Sequence, residues 1–377
     1  MSKSIIFLSP TPPPFMGPSV ATQVLLHSKF VREFNVVHID TADRRSLKKI
    51  GKWDITNVGL ALKQYGQLFW KLVSIRSDLV YIPISQTARG FLRDIPFVWL
   101  AKIYRKKAVL HLRGGYFREF YNSSHRLMKF IIRKTLKKID RMIVLGQSLK
   151  PMFTGLIPEE KISVVPNGLD YGTGSDFGED RGQKADGPQR EYSVLFLSNL
   201  AKSKGYEDVL RSLPIVVKRR EHVRYIFAGE WTNDEDSDGY EDFVRQNKLE
   251  ARAAVLGVQT GENKKRLYRE ADLFVFPTYY PFEGHPWVII EAMAAGLPII
   301  TTDQGCIRES VTDGDNGFII PKRNPEAIAE KILYLLDHPE VRERMGRRSR
   351  ELYEANFTEE HFVNGMIGVF KQALKDM

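Results

Sequence analysis

Residues 271–303 read ADLFVFPTYYPFEGHPWVIIEAMAAGLPIITTD. The stretch opens on an apolar run, Leu273 to Pro277, of the kind that forms a strand covered on both faces. A loop leads to Pro286, which suits the first turn of a helix because it has no N–H to leave unpaired there. Val288 to Ala295 continue the helix, and Gly296 followed by Pro298 end it. A second strand follows at Pro298 to Thr302. Strand, helix and strand in direct succession make a βαβ unit, whose strands run parallel.

Outward from this unit the same grammar repeats. Before it lie strand candidates at Ser193 to Ser198, Arg224 to Ala228 and Ala253 to Leu256, and after it one at Gly317 to Ile320. The first half of the chain offers six more: Ser4 to Ser9, Asn35 to Ile39, Leu79 to Ile84, Ala108 to Leu112, Arg141 to Leu145 and Ile162 to Val165. All are near-continuous apolar runs separated by longer amphipathic stretches, as parallel sheets require. The fold class is therefore α/β, with two doubly wound parallel-sheet domains in tandem, and ligands are expected in the cleft between them. Residues 1–170 form the first domain and 191–355 the second. The glycine-rich, charged stretch 171–190 reads as a linker or mobile loop. In the tail 356–377, apolar Phe362, Met366, Val369, Phe370 and Leu374 recur at helical spacing, so this helix needs a surface to cover, and the first domain is the expected one.

A length of 377 residues with 43% hydrophobic and 27% charged residues fits two globular domains and excludes a disordered chain. The single cysteine, Cys306, excludes an internal disulfide and fits a reducing, cytoplasmic setting. The apolar run Ile5 to Leu8 is too short for a signal peptide, and no run is long enough to span a bilayer. The net charge of +10 is uneven: residues 1–170 hold 28 Lys and Arg against 11 Asp and Glu, and the remainder 28 against 35. The first domain is thus suited to an anionic partner.

Two carboxylates frame the helix start in 271–303. Glu283 lies in the entering loop, and Glu291 lies five residues into the helix, about 7.5 Å along its axis. With the free N–H groups of the helix N-terminus between them, they can cradle a phosphorylated, hydroxyl-rich ligand.

The pair Glu283 and Glu291, followed by EAMAAGLPII, GCIRES and DGDNGFII, resembles the retaining GT-B glycosyltransferases of the family 4 type, the glycosyl transferases group 1. ADLFVFP, VVPNGLD at 164–170 and FLSNLAKSKG at 196–205 agree with it. The resemblance covers the second half closely and the first loosely. It implies that Glu291 holds the ribose of a nucleotide and that Glu283 contacts the donor sugar. Gly284, His285, Pro286 and Trp287 match the segment whose backbone faces sugar and diphosphate, and Lys204 matches the lysine that pairs with the diphosphate. The donor implied is a UDP- or GDP-linked sugar, with no further cofactor and no metal.

Three departures stand out. Asn199 replaces the arginine usual before the lysine, leaving Lys202 or a basic residue of the first domain to compensate. Arg113, in HLRGGYFREF, replaces the usual histidine near the reacting centre, while His111, two residues earlier on the same side of a strand, is a second candidate. The glycine pair after the first strand is reduced to Gly17, with Ser19 placed to cap the following helix.

The segment 105–141 is basic and amphipathic. Within Ser124 to Ile139, apolar Leu127, Phe130, Ile131 and Leu136 alternate with lysines and arginines, making contact with an anionic membrane surface or a polyanionic acceptor an expectation. Asp236-Ser237-Asp238 resembles a metal-binding DxD but sits in an acidic run. No recognisable nucleic-acid module organises the charge.

These readings combine into a metal-independent, retaining glycosyltransferase. It would act on a glycan, lipid-linked or polyanionic acceptor in cell-surface polysaccharide or glycoconjugate synthesis, at the inner membrane face. A sugar epimerase or phosphorylase of the same fold, or a catalytically weakened sugar-nucleotide-binding relative, is the alternative.

Overall fold

The computed structural model describes residues 3–13, 16–44, 55–172 and 190–375, with backbone alone at 55 and 56. The stretch 171–190, read above as a linker, falls outside the described residues except at 171, 172 and 190.

The chain divides into two compact units. The first gathers the residues up to Gly168, Phe282–His285 and the chain from Glu359 on; the second holds Leu169–Pro281 and Pro286–Thr358.

The first unit is built on six parallel strands: β1 (Ser4–Ser9), β2 (Asn35–Asp40), β3 (Leu79–Ile84), β4 (Lys107–Leu112), β5 (Arg141–Val144) and β6 (Ile162–Val164), in the order β2-β1-β3-β4-β5-β6. The second has β7 (Tyr192–Leu197), β8 (Val223–Ala228), β9 (Ala253–Val255), β10 (Leu273–Phe276), β11 (Ile299–Thr302) and β12 (Gly317–Ile320), in the order β12-β11-β10-β7-β8-β9. Each bound lies within one residue of that expected from sequence. Pro298 stands outside β11 because it has no N–H to give the ladder, although its carbonyl still accepts from Phe274 at 3.1 Å. In both sheets the strand order reverses beside the first strand, at β1/β3 and at β7/β10, which is where such sheets open crevices for ligands.

Two boundaries differ from the expected ones. Phe282–His285, expected in the second domain, groups with the first unit. The ring of Phe282 lies 4.6 Å from that of Tyr116, and Asn167 bonds His285. The second unit continues to Thr358 rather than 355, since the Phe357 carbonyl accepts from the Leu169 N–H at 3.1 Å.

The last helix, Glu359–Lys375, buries Phe362, Met366, Val369, Phe370 and Leu374 in the first unit. Phe370 meets Phe30 edge-on at 5.2 Å and lies 5.8 Å from Tyr81, which stacks on Phe7 at 4.2 Å. Among the described residues no helix is long and apolar enough to cross a membrane.

Candidate active site

In the second unit the helix after β10 runs from Trp287 to Ala294. Pro286 is the residue just before it, with extended backbone, rather than part of its first turn. The N–H groups of Gly296 and Leu297 close its last turn onto Met293 and Ala292. Glu291 is buried, and both carboxylate oxygens are engaged: Lys264 Nζ lies 2.5 Å from Oε1, and the Tyr268 hydroxyl donates to Oε2 at 2.9 Å. Burial, and then the adjacent Glu291 charge, push the Tyr268 hydroxyl far above its ordinary pKa, so it remains a donor. Lys264 and Tyr268 sit four residues apart on the helix Gly261–Glu270, which places both on one face. Neither was singled out in the sequence; their spacing and the following β10 were the available signal.

Lys204 ends a short 3₁₀ turn, Lys202–Lys204, and its ammonium lies 4.3 Å from the Tyr280 ring centroid. Gly205 follows at φ +87°, where a Cβ would come within 2.5 Å of the Pro277 carbonyl oxygen, so only glycine fits. It caps the helix Tyr206–Val217, setting Lys204 beside that helix's free N–H groups. Asn199 is exposed just upstream. Lys202 lies 3.6 Å from Asp236, so the lysine considered as a replacement for the missing arginine already has a carboxylate partner. Asp236 belongs to a helix start, where its N–H bonds the Asn233 side chain at 2.8 Å.

In the first unit, Arg113 follows β4 directly and donates to Asn167 Oδ1 at 2.9 Å. Asn167 donates its side-chain NH₂ to the His285 carbonyl at 2.8 Å and its backbone N–H to His285 Nδ1 at 3.1 Å. Because Nδ1 accepts, the ring's proton is on Nε2. Burial lowers the His285 pKa to about 4, keeping the imidazole neutral at physiological pH. Gly284 permits close approach here: a Cβ would lie 2.9 Å from Leu145 Cδ1 and 3.0 Å from the Arg113 carbonyl oxygen. Glu283, beside it, is also buried.

His111 is not open to a ligand. It is fully buried in β4, with Nδ1 2.9 Å from the Tyr81 hydroxyl, and burial together with the Arg113 charge holds its pKa well below the ordinary value. Its ring meets Tyr81 edge-on at 5.9 Å, inside the first unit's core. Gly17 is the first residue of the helix Gly17–His27. Ser19 is not its cap: two residues farther in, its hydroxyl reaches back to accept from the Met16 N–H at 3.0 Å.

Residues 179–352 match the family model for glycosyl transferases group 1. Over this stretch, a little under half of the chain, the protein is similar to that family. It is 31% identical over 239 residues to spore coat protein SA of Bacillus subtilis, covering 60% of this chain and 63% of that one, so it spans somewhat under two thirds of that relative. It is 27% identical over 371 residues to the capsular polysaccharide biosynthesis glycosyltransferase CapM of Staphylococcus aureus, covering 92% and 93%. The crystal structure of Anabaena HepE in complex with UDP and glucose superposes with a TM-score of 0.71 at 17% identity, over 98% of this chain and 99% of HepE. The fold is thus GT-B, two Rossmann-like parallel-sheet units.

Proposed function

We propose that this protein is a retaining glycosyltransferase that moves a sugar from a nucleoside-diphosphate donor to a glycan or lipid-linked acceptor. The observation that carries the reading is the buried Glu291 carboxylate, oriented by Lys264 and Tyr268 at the fifth residue of the helix Trp287–Ala294. A carboxylate held this way accepts hydrogen bonds from vicinal ribose hydroxyls, and a helix N-terminus suits a diphosphate. HepE crystallises with UDP and glucose, and CapM is a capsular polysaccharide glycosyltransferase, which supports this donor and acceptor class.

In the proposed reaction the bond from the anomeric carbon to the diphosphate oxygen breaks, and the acceptor oxygen bonds that carbon on the same face. The acceptor's proton passes to the departing diphosphate. Lys204 and the N-terminus of the helix Tyr206–Val217 stabilise the charge growing on the diphosphate, without a metal ion. The neutral His285 and its neighbours Glu283 and Gly284 position the sugar, with Arg113 and Asn167 fixing that segment. His111 bonds Tyr81, which in turn interacts with the Arg113 guanidinium, so it supports that segment from within the first unit. The test is acceptor-dependent release of nucleoside diphosphate. A phosphorylase would instead consume inorganic phosphate, and an epimerase would change the sugar without any acceptor.

A further inference from the structure

We propose that the first unit carries a membrane-docking face whose partner is an anionic bilayer surface. The inference stands on side chains that the transfer reaction does not use. Three helices of this unit pack side by side: Ile55–Ser74, Ala88–Ile103 and Arg126–Leu136. The Tyr65 ring meets Phe97 edge-on at 4.9 Å, and the Trp99 indole donates to Thr135 Oγ1 at 3.3 Å.

Their outer surface is apolar to an unusual degree. On the first helix Val58, Leu62, Phe69 and Val73 recur at spacings of four, seven and four, a single stripe, and all are exposed. Trp70 adjoins them at 65% exposure, and Leu62 is 63% exposed. On the third helix Leu127 and Phe130 are 61% and 59% exposed. An exposed apolar set of this extent marks an interaction site rather than ordinary surface.

Charge identifies the partner. The three helices carry nine lysines and arginines and one carboxylate, that of Asp94. Asp94 is buried and paired with Arg93 at 2.9 Å, and Lys102 pairs with Asp140, so the other seven cations of these helices stand interspersed with the apolar residues. The ammonium groups of Lys134 and Lys138 lie 5.6 and 4.9 Å from the Trp99 ring centroid. A second copy of this chain would set cations against cations. A nucleic acid would match the cations and leave the aliphatic stripe in water. An anionic lipid interface takes both, with apolar side chains and tryptophan at the acyl boundary and lysines against the headgroups.

This face differs from the one expected at 105–141. That segment contains the covered strand β4 and two separate helices, Phe117–Ser123 and Arg126–Leu136. Only the last supplies the face, and Ile55–Ser74 contributes the larger apolar share.

The test is flotation of the full chain with vesicles of phosphatidylcholine alone and of phosphatidylcholine mixed with phosphatidylglycerol, alongside sedimentation velocity without lipid. The wild type should float with the mixed vesicles and not with the neutral ones. Leu62→Glu/Trp70→Glu should lower vesicle binding by at least about tenfold, because each change puts an anion at the acyl boundary. The thermal midpoint and nucleotide-sugar binding should be unchanged. Leu127→Glu/Phe130→Glu, on a separate helix, should do the same and keeps the test decisive if the first variant misfolds. The proposal is overturned if the wild type ignores the mixed vesicles or if both variants bind like the wild type. It is also overturned if the face instead mediates self-association that the variants abolish.

Discussion

Asn167 grips His285 at two points: its amide side chain donates to the His285 carbonyl at 2.8 Å, and its backbone N–H donates to the ring at 3.1 Å. Since Arg113 bonds the same amide's oxygen, one buried asparagine fixes both a loop backbone and a guanidinium. Asn167→Ala should cost about 1–3 kcal/mol, the usual penalty for buried groups left unpaired. It should lower kcat while leaving nucleotide affinity, proposed to rest on Glu291, near the wild-type value. Chemical denaturation and steady-state kinetics on one preparation check both halves.

His285 gives a pH dependence of defined sign. Below about pH 6.5 the unfolded chain takes up a proton at this imidazole, whereas the folded chain does so only near pH 4. Stability therefore falls as pH drops through that window, by about 3 kcal/mol at most from this group. His111, also lowered by burial, adds in the same direction. His285→Asn, whose side-chain oxygen can accept the Asn167 N–H, should flatten the slope of stability between pH 6.5 and 4. Urea midpoints across that range measure it.

Tyr268 orients Glu291 from inside the second unit. Tyr268→Phe removes one hydrogen bond to a charged acceptor and should cost about 1.5–3 kcal/mol of stability. It should also weaken donor binding, raising KM more than it lowers kcat. Calorimetric titration with the donor, compared with thermal unfolding, separates the two effects.

Gly205 holds Lys204 in place from a backbone conformation at φ +87°. Gly205→Ala should destabilise by about 1–3 kcal/mol, since a left-handed alanine is strained and its methyl meets the Pro277 carbonyl. Lys204→Ala should leave stability within about 0.5 kcal/mol, as substitutions of surface-facing side chains commonly do, while depressing kcat. A loss of stability in Lys204→Ala equal to that in Gly205→Ala would point to packing instead of charge stabilisation.

The strands were legible because parallel strands covered on both faces read as unbroken apolar runs, such as Leu273 to Phe276 between Ala271-Asp272 and Pro277. Helix starts were legible only to within a residue or two. Pro286 and Ser19 each carry the right local chemistry, but whether a residue caps or enters a helix depends on backbone angles that the pattern does not specify. Asn167 and His285 are 118 residues apart, so no local spacing links them. The burial of His111 depends on the helix Glu359–Lys375, whose Phe370 packs against Tyr81 from the far end of the chain. Carboxylates with a strong local frame, Glu283 and Glu291, could be picked out; their partners, brought in by tertiary packing, could not.

In the proposed function, Glu291 anchors a nucleoside-diphosphate sugar. Titration of UDP- and GDP-linked sugars into wild type and Glu291→Ala, followed by thermal shift, tests it directly. One donor class should bind the wild type and raise its stability by about 2.7 kcal/mol at a hundredfold excess over Kd. That stabilisation should disappear in Glu291→Ala while the unliganded fold persists. A Glu291→Ala protein that binds and turns over donor like the wild type would show that Glu291 does not anchor it.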